Sequence, residues 1–179
     1  MKKILREILS TSLYFLVVLC LVYLVIHFVG QRTQVSGSSM EPKLSDEDNL
    51  IVDKITYKFK EPERFDIVVF PFRYDEDTYY IKRIIGMPGE TVYIDVDGSI
   101  YIDDELLTES YGKEIIKDAG RASTALTLGD DEYFVMGDNR NNSSDSRDPA
   151  VGNIKRDSII GRAWLRIWPF DKFGFIKHR

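Results

Sequence analysis

The amino-terminal part of the chain is one long apolar run. Ile8 to Gln31 contains no Asp, Glu, Lys or Arg, and its centre is dense in Leu, Val, Ile, Phe and Tyr. About 20 such residues in a helix cross the hydrocarbon core of a bilayer. The pattern therefore predicts a transmembrane helix over residues 8–31. A cleavable signal peptide has a shorter apolar core and a small-residue cleavage site, so a retained span is favoured over a removed one.

The charges on either side of this run predict its orientation. Lys2, Lys3 and Arg6 precede the run, whereas Arg32 follows it and an acidic cluster comes at 46–48. The positive-inside rule then places the amino terminus in the cytoplasm. We expect a single-pass protein of the cell membrane, with residues 1–7 inside and residues 32–179 outside.

Beyond Pro42 the pattern changes to short apolar runs separated by turn residues, which is typical of strands. The predicted strands are Leu50–Tyr57, Asp66–Phe72, Tyr79–Ile85, Thr91–Val96, Ser99–Ile102, Glu132–Met136 and Ile159–Ile167. Asp97-Gly98 stands between two alternating runs and predicts a hairpin with a type I′ turn. No long helical period follows residue 50, so the outer domain is predicted to be mainly β. Residues 106–130 are polar and irregular, which indicates an elaboration or flap.

Composition narrows the classes of function. The chain has 179 residues, enough for one domain of ordinary size and an anchor. Its net charge is −5 and it has no basic block, so no nucleic-acid partner is expected. Cys20 is the only cysteine, which excludes an internal disulfide and a cysteine-based metal site. HExxH, P-loop and GxGxxG motifs are absent, so no metal or cofactor is expected.

The first candidate for chemistry is the stretch SGSSMEP, Ser36–Pro42, just after the apolar run. Gly and Ser by themselves favour a turn or linker. A nucleophilic serine also needs a base within hydrogen-bond reach, most often histidine. His27 lies in the apolar run, and His178 is the penultimate residue, where chains tend to fray. A Ser-His-Asp triad is therefore not expected.

The second candidate is Lys82 in TYYIKRIIGMPGE. A lysine can act as a base near neutral pH only if desolvation disfavours its ammonium form. Apart from Arg83, the neighbours of Lys82 along the chain are apolar, and in a strand these two cations point to opposite faces. One can then be buried while the other pairs with an acid. The alternative is an exposed lysine on a half-buried strand.

The third candidate is the cluster GDNRNNSSDSR, from Gly137 to Arg147. Asn, Asp and Ser dominate ordinary turns, so a structural turn is one explanation. As a set, these groups could also satisfy and orient a buried lysine.

The four motifs SGSSMEP, RFDIVVF, YIKRIIGMPGE and GDNRNNSSDSR occur in this order and are followed by IIGRAWLRIWP. This combination resembles the type I signal peptidase family of bacteria. The resemblance implies a membrane-bound Ser/Lys endopeptidase that removes signal peptides from secretory preproteins. It also implies a mainly antiparallel β domain related to the Ser/Lys self-cleaving repressors. Small substrate residues one and three positions before the cut would occupy shallow apolar pockets.

The same resemblance assigns roles to individual residues. It makes Ser39 the nucleophile and Lys82 the general base, with the Ser143 hydroxyl contacting the lysine. Arg83, Asp138, Asp145 and Arg147 would be structural supports of the site. Gly37 stands where some members carry a serine that helps to bind the oxyanion, so a backbone N–H, that of Ser39, would take this part. Phe65 stands where glycine is frequent.

Two other functions stay open at this stage. One is a Ser/Lys peptidase dedicated to a single client, for example in pilus assembly. The other is a non-catalytic assembly factor derived from the same family. The carboxy-terminal aromatic residues Trp164, Trp168, Phe170, Phe173 and Phe175 either contact the membrane or pack in the core.

Overall fold

The computed structural model describes residues 2–28 and 30–178. It contains one helix, α1 (Lys2–Phe28), and the twelve strands that follow. These are β1 (Gly30–Gln34), β2 (Asn49–Asp53), β3 (Ile67–Phe72), β4 (Asp75–Gly86), β5 (Thr91–Ile94), β6 (Ile100–Ile102), β7 (Glu105–Leu106), β8 (Leu126–Thr127), β9 (Glu132–Met136), β10 (Ile154–Lys155), β11 (Gly161–Trp168) and β12 (Gly174–Phe175). All strand pairs are antiparallel, so the prediction of a mainly antiparallel β domain is confirmed.

The amino-terminal helix and the predicted span have different bounds. Helix α1 begins at Lys2, and the chain is already a strand at Gly30. The helix ends before residue 31 because Gly30–Gln34 pairs with Asn49–Asp53 along its whole length. Over residues 2–28 and 30–178, no helix has both the length and the apolar character that crossing a membrane requires.

The larger sheet carries the candidate site. Its strand order is β1-β2-β11-β3-β4-β9-β10, with β12 added to β11. The end of β1 and the first half of β4 line the same cleft although three strands separate them in this order. The sheet is therefore curled, and apolar side chains fill its inner side. They include Val35, Met40, Leu44, Leu50, Val52, Ile67, Val69, Ile81, Ala163 and Ile176.

The smaller sheet has the order β7-β6-β5-β8. It shares a core with the far ends of β4 and β9 through Ile85, Phe134 and Met136. The predicted hairpin between β5 and β6 is present.

The predicted type I′ turn at Asp97-Gly98 is wrong. Gly98 has φ +81°, but Asp97 is not among the residues with positive φ. The carboxylate of Asp95 accepts hydrogen bonds from the N–H groups of Asp97 and Ser99, at 3.0 and 2.9 Å, and stabilises a wider loop. Two successive residues of positive φ occur instead at 103–104, with φ +50° and +67°, between β6 and β7.

Residues 107–119, which we call the strap, contain neither helix nor strand. The strap leaves β7 and ends at a 3-10 turn, Gly120–Ser123. Leu107 and Ile116 pack into the core of the smaller sheet and hold the strap against the domain.

Candidate active site

The segment between β1 and β2 presents Ser39 at the mouth of the cleft. Gly37 has φ +87°, a conformation that favours glycine, and its N–H donates to Oδ1 of Asp46 at 2.8 Å. After Ser39 the chain makes a helical turn in which Leu44 N–H donates to the Met40 carbonyl at 2.9 Å. Met40 and Leu44 are buried, so they anchor the turn that carries the serine.

The loop 137–147 holds this segment from the other side. Asn139 donates its backbone N–H to the Ser39 carbonyl at 3.0 Å and its side-chain amide to the Ser38 carbonyl at 3.1 Å. The side-chain amide of Asn142 donates to Oγ of Ser38 at 2.9 Å. The Ser38 hydroxyl is therefore engaged with the loop, whereas the Ser39 hydroxyl faces a lysine.

That lysine is Lys82, in the middle of β4 and opposite Val68 of β3. Its Nζ donates to Ser39 Oγ at 2.8 Å and to the Ile81 carbonyl at 3.1 Å. The structure thus brings together the two residues whose motifs lie 43 positions apart in the sequence. Lys82 is 4% exposed, so the alternative of an exposed lysine is wrong.

Burial lowers the pKa of Lys82 to about 8, mainly because the ammonium form is desolvated. The charges of Asp145 and Asp138 oppose this effect only in part. The Tyr80 ring lies 5.0 Å from Nζ and is part of the apolar surroundings. A substantial fraction of the amine is consequently neutral near pH 8, as a base requires.

Arg83 is completely buried and forms two hydrogen bonds of 2.7 Å with the carboxylate of Asp138. Its Nη1 also donates to the carbonyls of Phe65 and His178, both at 2.9 Å. Phe65 has φ +74°, the left-handed region that glycine adopts at least cost. This backbone requirement explains why glycine suits the position.

A second ion pair fixes the loop. Nε and Nη2 of Arg147 donate to the two oxygens of Asp145 at 2.8 and 2.9 Å, and Gly137 N–H donates to the same carboxylate at 3.0 Å. A side chain at Gly137 does not fit, because its Cβ would lie 2.5 Å from the Ser39 carbonyl and 2.3 Å from Ser143 Oγ.

Ser143 is close to this centre but makes no hydrogen bond to Lys82. Its Oγ is buried and has no hydrogen-bond partner among the residues that the structure describes. The predicted hydroxyl contact to Lys82 is thus not formed here; the acceptors of Lys82 Nζ are Ser39 Oγ and the Ile81 carbonyl.

The backbone N–H groups of Gly37 and Ser39 bear on the prediction that a backbone N–H binds the oxyanion. The Gly37 N–H is already engaged by Asp46. Within residues 30–178, the Ser39 N–H has no acceptor, which leaves it able to donate to a bound carbonyl. No cluster of three or more His, Cys, Asp or Glu suited to a metal ion occurs in the described part of the chain.

His178 is ordered, contrary to the expectation of a frayed end. Its Nδ1 accepts the Ile67 N–H at 2.9 Å, and burial lowers its pKa. It contacts β3 and Arg83, so it stabilises the residues that support the site and does not contact Ser39. The side chain of His27 lies outside the described part of the structure. Sequence reasoning also missed Asn139 as the residue that holds Ser39, since asparagine in such a loop first indicates a turn.

A cleft of about 320 Å³ opens beside Ser39 and Lys82. Its lining residues are Gln34, Val35, Ser36, Ser39, Met40, Thr78, Tyr79, Tyr80, Ile81, Lys82 and Ser144. Along 75–82, β4 pairs with β3 on one side, whereas its pairing with β9 on the other side begins only at Arg83. The cleft therefore borders a strand edge that no described strand occupies.

Comparison with known proteins identifies the relatives of this chain. The family model described as "Signal peptidase, peptidase S26" matches residues 8–168. Probable signal peptidase I-2 of Synechocystis sp. is 38% identical over 155 residues, which cover 83% of this chain and 68% of that protein. Signal peptidase I P of Bacillus subtilis subsp. natto is 37% identical over 170 residues, which cover 90% of each chain. The crystal structure of a signal peptidase I from Enterococcus faecalis V583 is 36% identical, with a TM-score of 0.48 over 57% of this chain and 97% of that chain. Because the family model matches most of its length, this chain belongs to the signal peptidase family, peptidase family S26.

Proposed function

We propose that this protein is a serine endopeptidase that cleaves signal peptides from exported preproteins, with Ser39 as nucleophile and Lys82 as general base. Membership of the family supports the reaction class. The observation that carries the assignment of residues is the 2.8 Å hydrogen bond between Lys82 Nζ and Ser39 Oγ at a buried lysine.

The proposed reaction is acyl transfer. Neutral Lys82 takes the proton of Ser39 while Oγ forms a bond to the scissile carbonyl carbon. The carbon–nitrogen bond then breaks, and the leaving amine, which is the new amino terminus of the mature protein, receives the proton. Lys82 next takes a proton from water, and the resulting hydroxide attacks the ester on Ser39. The signal peptide leaves with a free carboxyl group while the proton on Lys82 returns to Ser39 Oγ.

The developing oxyanion needs a donor that is fixed before the reaction begins. The Ser39 N–H is the donor that we propose, and the hydrogen bond from Asn139 N–H to the Ser39 carbonyl fixes the orientation of this segment. Gly37 contributes the backbone turn rather than a hydroxyl.

The substrate is proposed to bind in an extended conformation along the unoccupied edge of β4. Its main chain would pair with the backbone near Tyr79 and Ile81, as in other cases of strand addition. In a strand, residues two apart point to the same side. The substrate residues one and three positions before the cut therefore share a face, toward Val35, Met40 and Ile81, where the shallow cleft favours small side chains.

Helix α1 is proposed to anchor the enzyme in the lipid bilayer, with its amino terminus in the cytoplasm and the β domain outside. The support is the uncharged sequence from Ile8 to Gln31 and the exposure of its apolar side chains. Leu9 is 70% exposed, Leu16 64% and Leu19 65%, so this part of the helix does not pack in the core. Protease added outside sealed vesicles should digest the β domain where that domain faces the outside of the vesicle and should leave it intact where it is enclosed.

Replacement of either dyad residue tests the assignment. Ser39→Ala and Lys82→Ala should each lower preprotein cleavage by a factor of about 1,000 or more, because a nucleophile and its base act as a unit. Ser38→Ala is the matched control and should retain activity, since its hydroxyl contacts Asn142 rather than the lysine. Cleavage of several unrelated preproteins is measured together with circular dichroism. Substantial activity in the folded Ser39→Ala protein would overturn the proposal, and cleavage of one preprotein alone would indicate a dedicated peptidase.

A further inference from the structure

The strap, residues 107–119, contacts the supports of the dyad at several points, and two of these contacts bear on Asp138. Neither contact involves Ser39 or Lys82 directly, and the sequence assigns the strap no role in the reaction. Its significance rests on the proposed function of these two residues.

The first contact is made through a single peptide unit, the one that joins Asp138 to Asn139. Its carbonyl accepts the Lys113 N–H at 2.9 Å, and its N–H donates to the Ser39 carbonyl at 3.0 Å. The C=O and N–H of this unit lie in one rigid plane and point in opposite directions, so one hydrogen bond leaves from each edge. A displacement of the strap at residue 113 is consequently transmitted to the backbone of the nucleophile.

The side chain of Lys113 adds a link to the same segment. Its Nζ donates to Oε2 of Glu41 at 3.0 Å, two residues beyond Ser39. This pair is more than a third exposed on both sides. Exposed pairs contribute little, so we attribute the positioning to the backbone N–H of Lys113 rather than to its charge.

The second contact covers Arg83. The ring of Tyr111 lies 3.9 Å from the guanidinium carbon and 5.0 Å from the ring of Phe65, whose carbonyl accepts from Arg83. Arg83 holds both oxygens of Asp138, the residue whose carbonyl Lys113 binds. Tyr111 and Lys113 thus secure the side chain and the backbone of the same aspartate.

The strap is itself fixed from the loop side. Glu109 forms two hydrogen bonds with the guanidinium of Arg140, one of them 2.8 Å long, and Nε of Arg140 donates to the Gly137 carbonyl at 3.0 Å. The Arg140 side chain is only 2% exposed. The strap therefore holds Arg140, which in turn binds the carbonyl of Gly137, the residue before Asp138.

We propose that the strap is a positioning element for the acyl-transfer reaction: Lys113, through its backbone N–H, and Tyr111, through its ring, hold the Asp138–Asn139 peptide that fixes Ser39 in front of Lys82. Both are positioning residues, and neither touches the substrate.

Lys113→Pro tests this proposal because it removes the N–H; it also removes the side chain that reaches Glu41, and Lys113→Ala controls for that loss. The preceding residue is Gly112, which tolerates a following proline better than other residues do. In the full-length detergent-solubilised protein, kcat should fall about 10- to 100-fold, since small displacements of reacting groups have effects of this size. KM should stay within about threefold. Hydrogen exchange at the Asn139 amide, followed by mass spectrometry, should become faster.

Three further variants complete the test. Lys113→Ala keeps the N–H and should retain kcat within about threefold. Tyr111→Ala should lower kcat about tenfold, whereas Tyr111→Phe keeps the ring on Arg83 and should restore it. The Tyr111 pair decides the question if Lys113→Pro does not fold.

Unchanged kcat in both Lys113→Pro and Tyr111→Ala would overturn the proposal, as would a rise of KM alone. The exchange of the Asn139 amide does not depend on catalysis, so it separates a failure of this proposal from a failure of the Ser39 and Lys82 assignment. An active Ser39→Ala protein would overturn that assignment directly, whatever the exchange of the Asn139 amide shows.

Discussion

Lys82 and Arg83 are adjacent cations that are both buried, yet they remain in the fold for different reasons. Arg83 keeps its charge because Asp138 and two carbonyls satisfy its guanidinium. Lys82 has only a hydroxyl and a carbonyl as acceptors, so it is stabilised by giving up its proton. Arginine cannot respond in this way, because its pKa is too high. Because adjacent side chains of a strand point to opposite faces, the order of Lys82 and Arg83 along β4 determines which face of the sheet can hold a neutral base.

Lys82→Met should stabilise the protein at neutral pH. The pKa of Lys82 is about 8 in the folded state, below its ordinary value of 10.5, so between pH 8 and pH 10.5 the folded state binds fewer protons than the unfolded chain. The free-energy cost of burying the charged ammonium group is fully present below pH 8. It disappears as the pH rises above 10.5. Methionine carries no such penalty, and the gain at pH 7 should be at most about 3 kcal/mol. Urea denaturation at pH 7 and pH 10 measures it.

Lys58→Met is the control for this measurement, because Lys58 is exposed. Its effect on the free energy of unfolding should be small and equal at both pH values. A Lys82→Met protein that gains no more stability at pH 7 than at pH 10 would contradict the lowered pKa of Lys82.

At the scale of elements, the carboxy-terminal tail supports the larger sheet. Strand β12 pairs with β11, and His178 then turns onto β3, where Nδ1 accepts the Ile67 N–H. The groups that face the imidazole are the carboxylate of Asp66, 3.8 Å away, and the guanidinium groups of Arg162 and Arg83. Burial is the main reason why the pKa of His178 is lowered, and Asp66 opposes it.

This contact should make stability depend on pH. A lowered pKa means that the folded state binds fewer protons, so the stabilisation is complete above pH 6.5 and is lost as the pH falls below it. His178→Ala should cost about 1–3 kcal/mol at pH 7.5, because the Ile67 N–H loses its acceptor, and less at pH 5. Lys177→Ala, at an exposed neighbour, should change little. An equal loss for His178→Ala at both pH values would argue against the neutral acceptor.

Most of the long strands could be predicted from the sequence because each is rich in buried β-branched and aromatic residues. The strands that were missed are polar or very short. Strand β1 reads GQRTQ and is defined by backbone pairing to β2, while β7, β8, β10 and β12 have two residues each and show no period. The type I′ turn was misplaced because Asp95 stabilises a different loop through its side chain.

The motifs were enough to predict that Ser39 and Lys82 lie together. The lack of a usable histidine favoured a desolvated lysine in an apolar strand, and the family resemblance selected Ser39 among the three serines. The motifs could not predict the contact of Tyr111 with Arg83 or of Lys113 with the Asp138 carbonyl. Both contacts join an irregular segment to residues at least 25 positions away, and only the folded path of the strap brings them together. The hydroxyl contact of Ser143 was expected from resemblance alone and is not formed here.

At the scale of the whole molecule, the carboxy-terminal region presents an aromatic surface. Trp164 is 38% exposed and Trp168 49%, while Phe170, Phe173 and Phe175 are 60–75% exposed. The alternative that these residues pack in the core is therefore wrong. Exposed aromatic side chains are enriched at membrane interfaces, and this surface lies in the same domain that α1 is proposed to anchor.

Trp164 and Trp168 are the only two tryptophans, so fluorescence reports on this surface alone. On reconstitution into vesicles that contain brominated lipids, the emission should shift to the blue and be quenched. Trp164→Phe and Trp168→Phe each leave one reporter and show which residue is deeper. Emission that stays the same in brominated and ordinary lipids would mean that the surface remains in water.

The half-paired strand β4 has a consequence for inhibition. One half of β4 belongs to the interior of the sheet. The other half, residues 75–82, pairs with β3 on one side and leaves the backbone groups that point to its other side open to a ligand. An extended inhibitor that binds there would rely on hydrogen bonds to backbone N–H and C=O groups. Every residue except proline has both groups. Side-chain substitutions can reshape the cleft, but they do not remove these groups. Resistance would then have to arise through changes in the backbone of a strand that also carries Lys82 and Arg83, where the enzyme itself would be impaired.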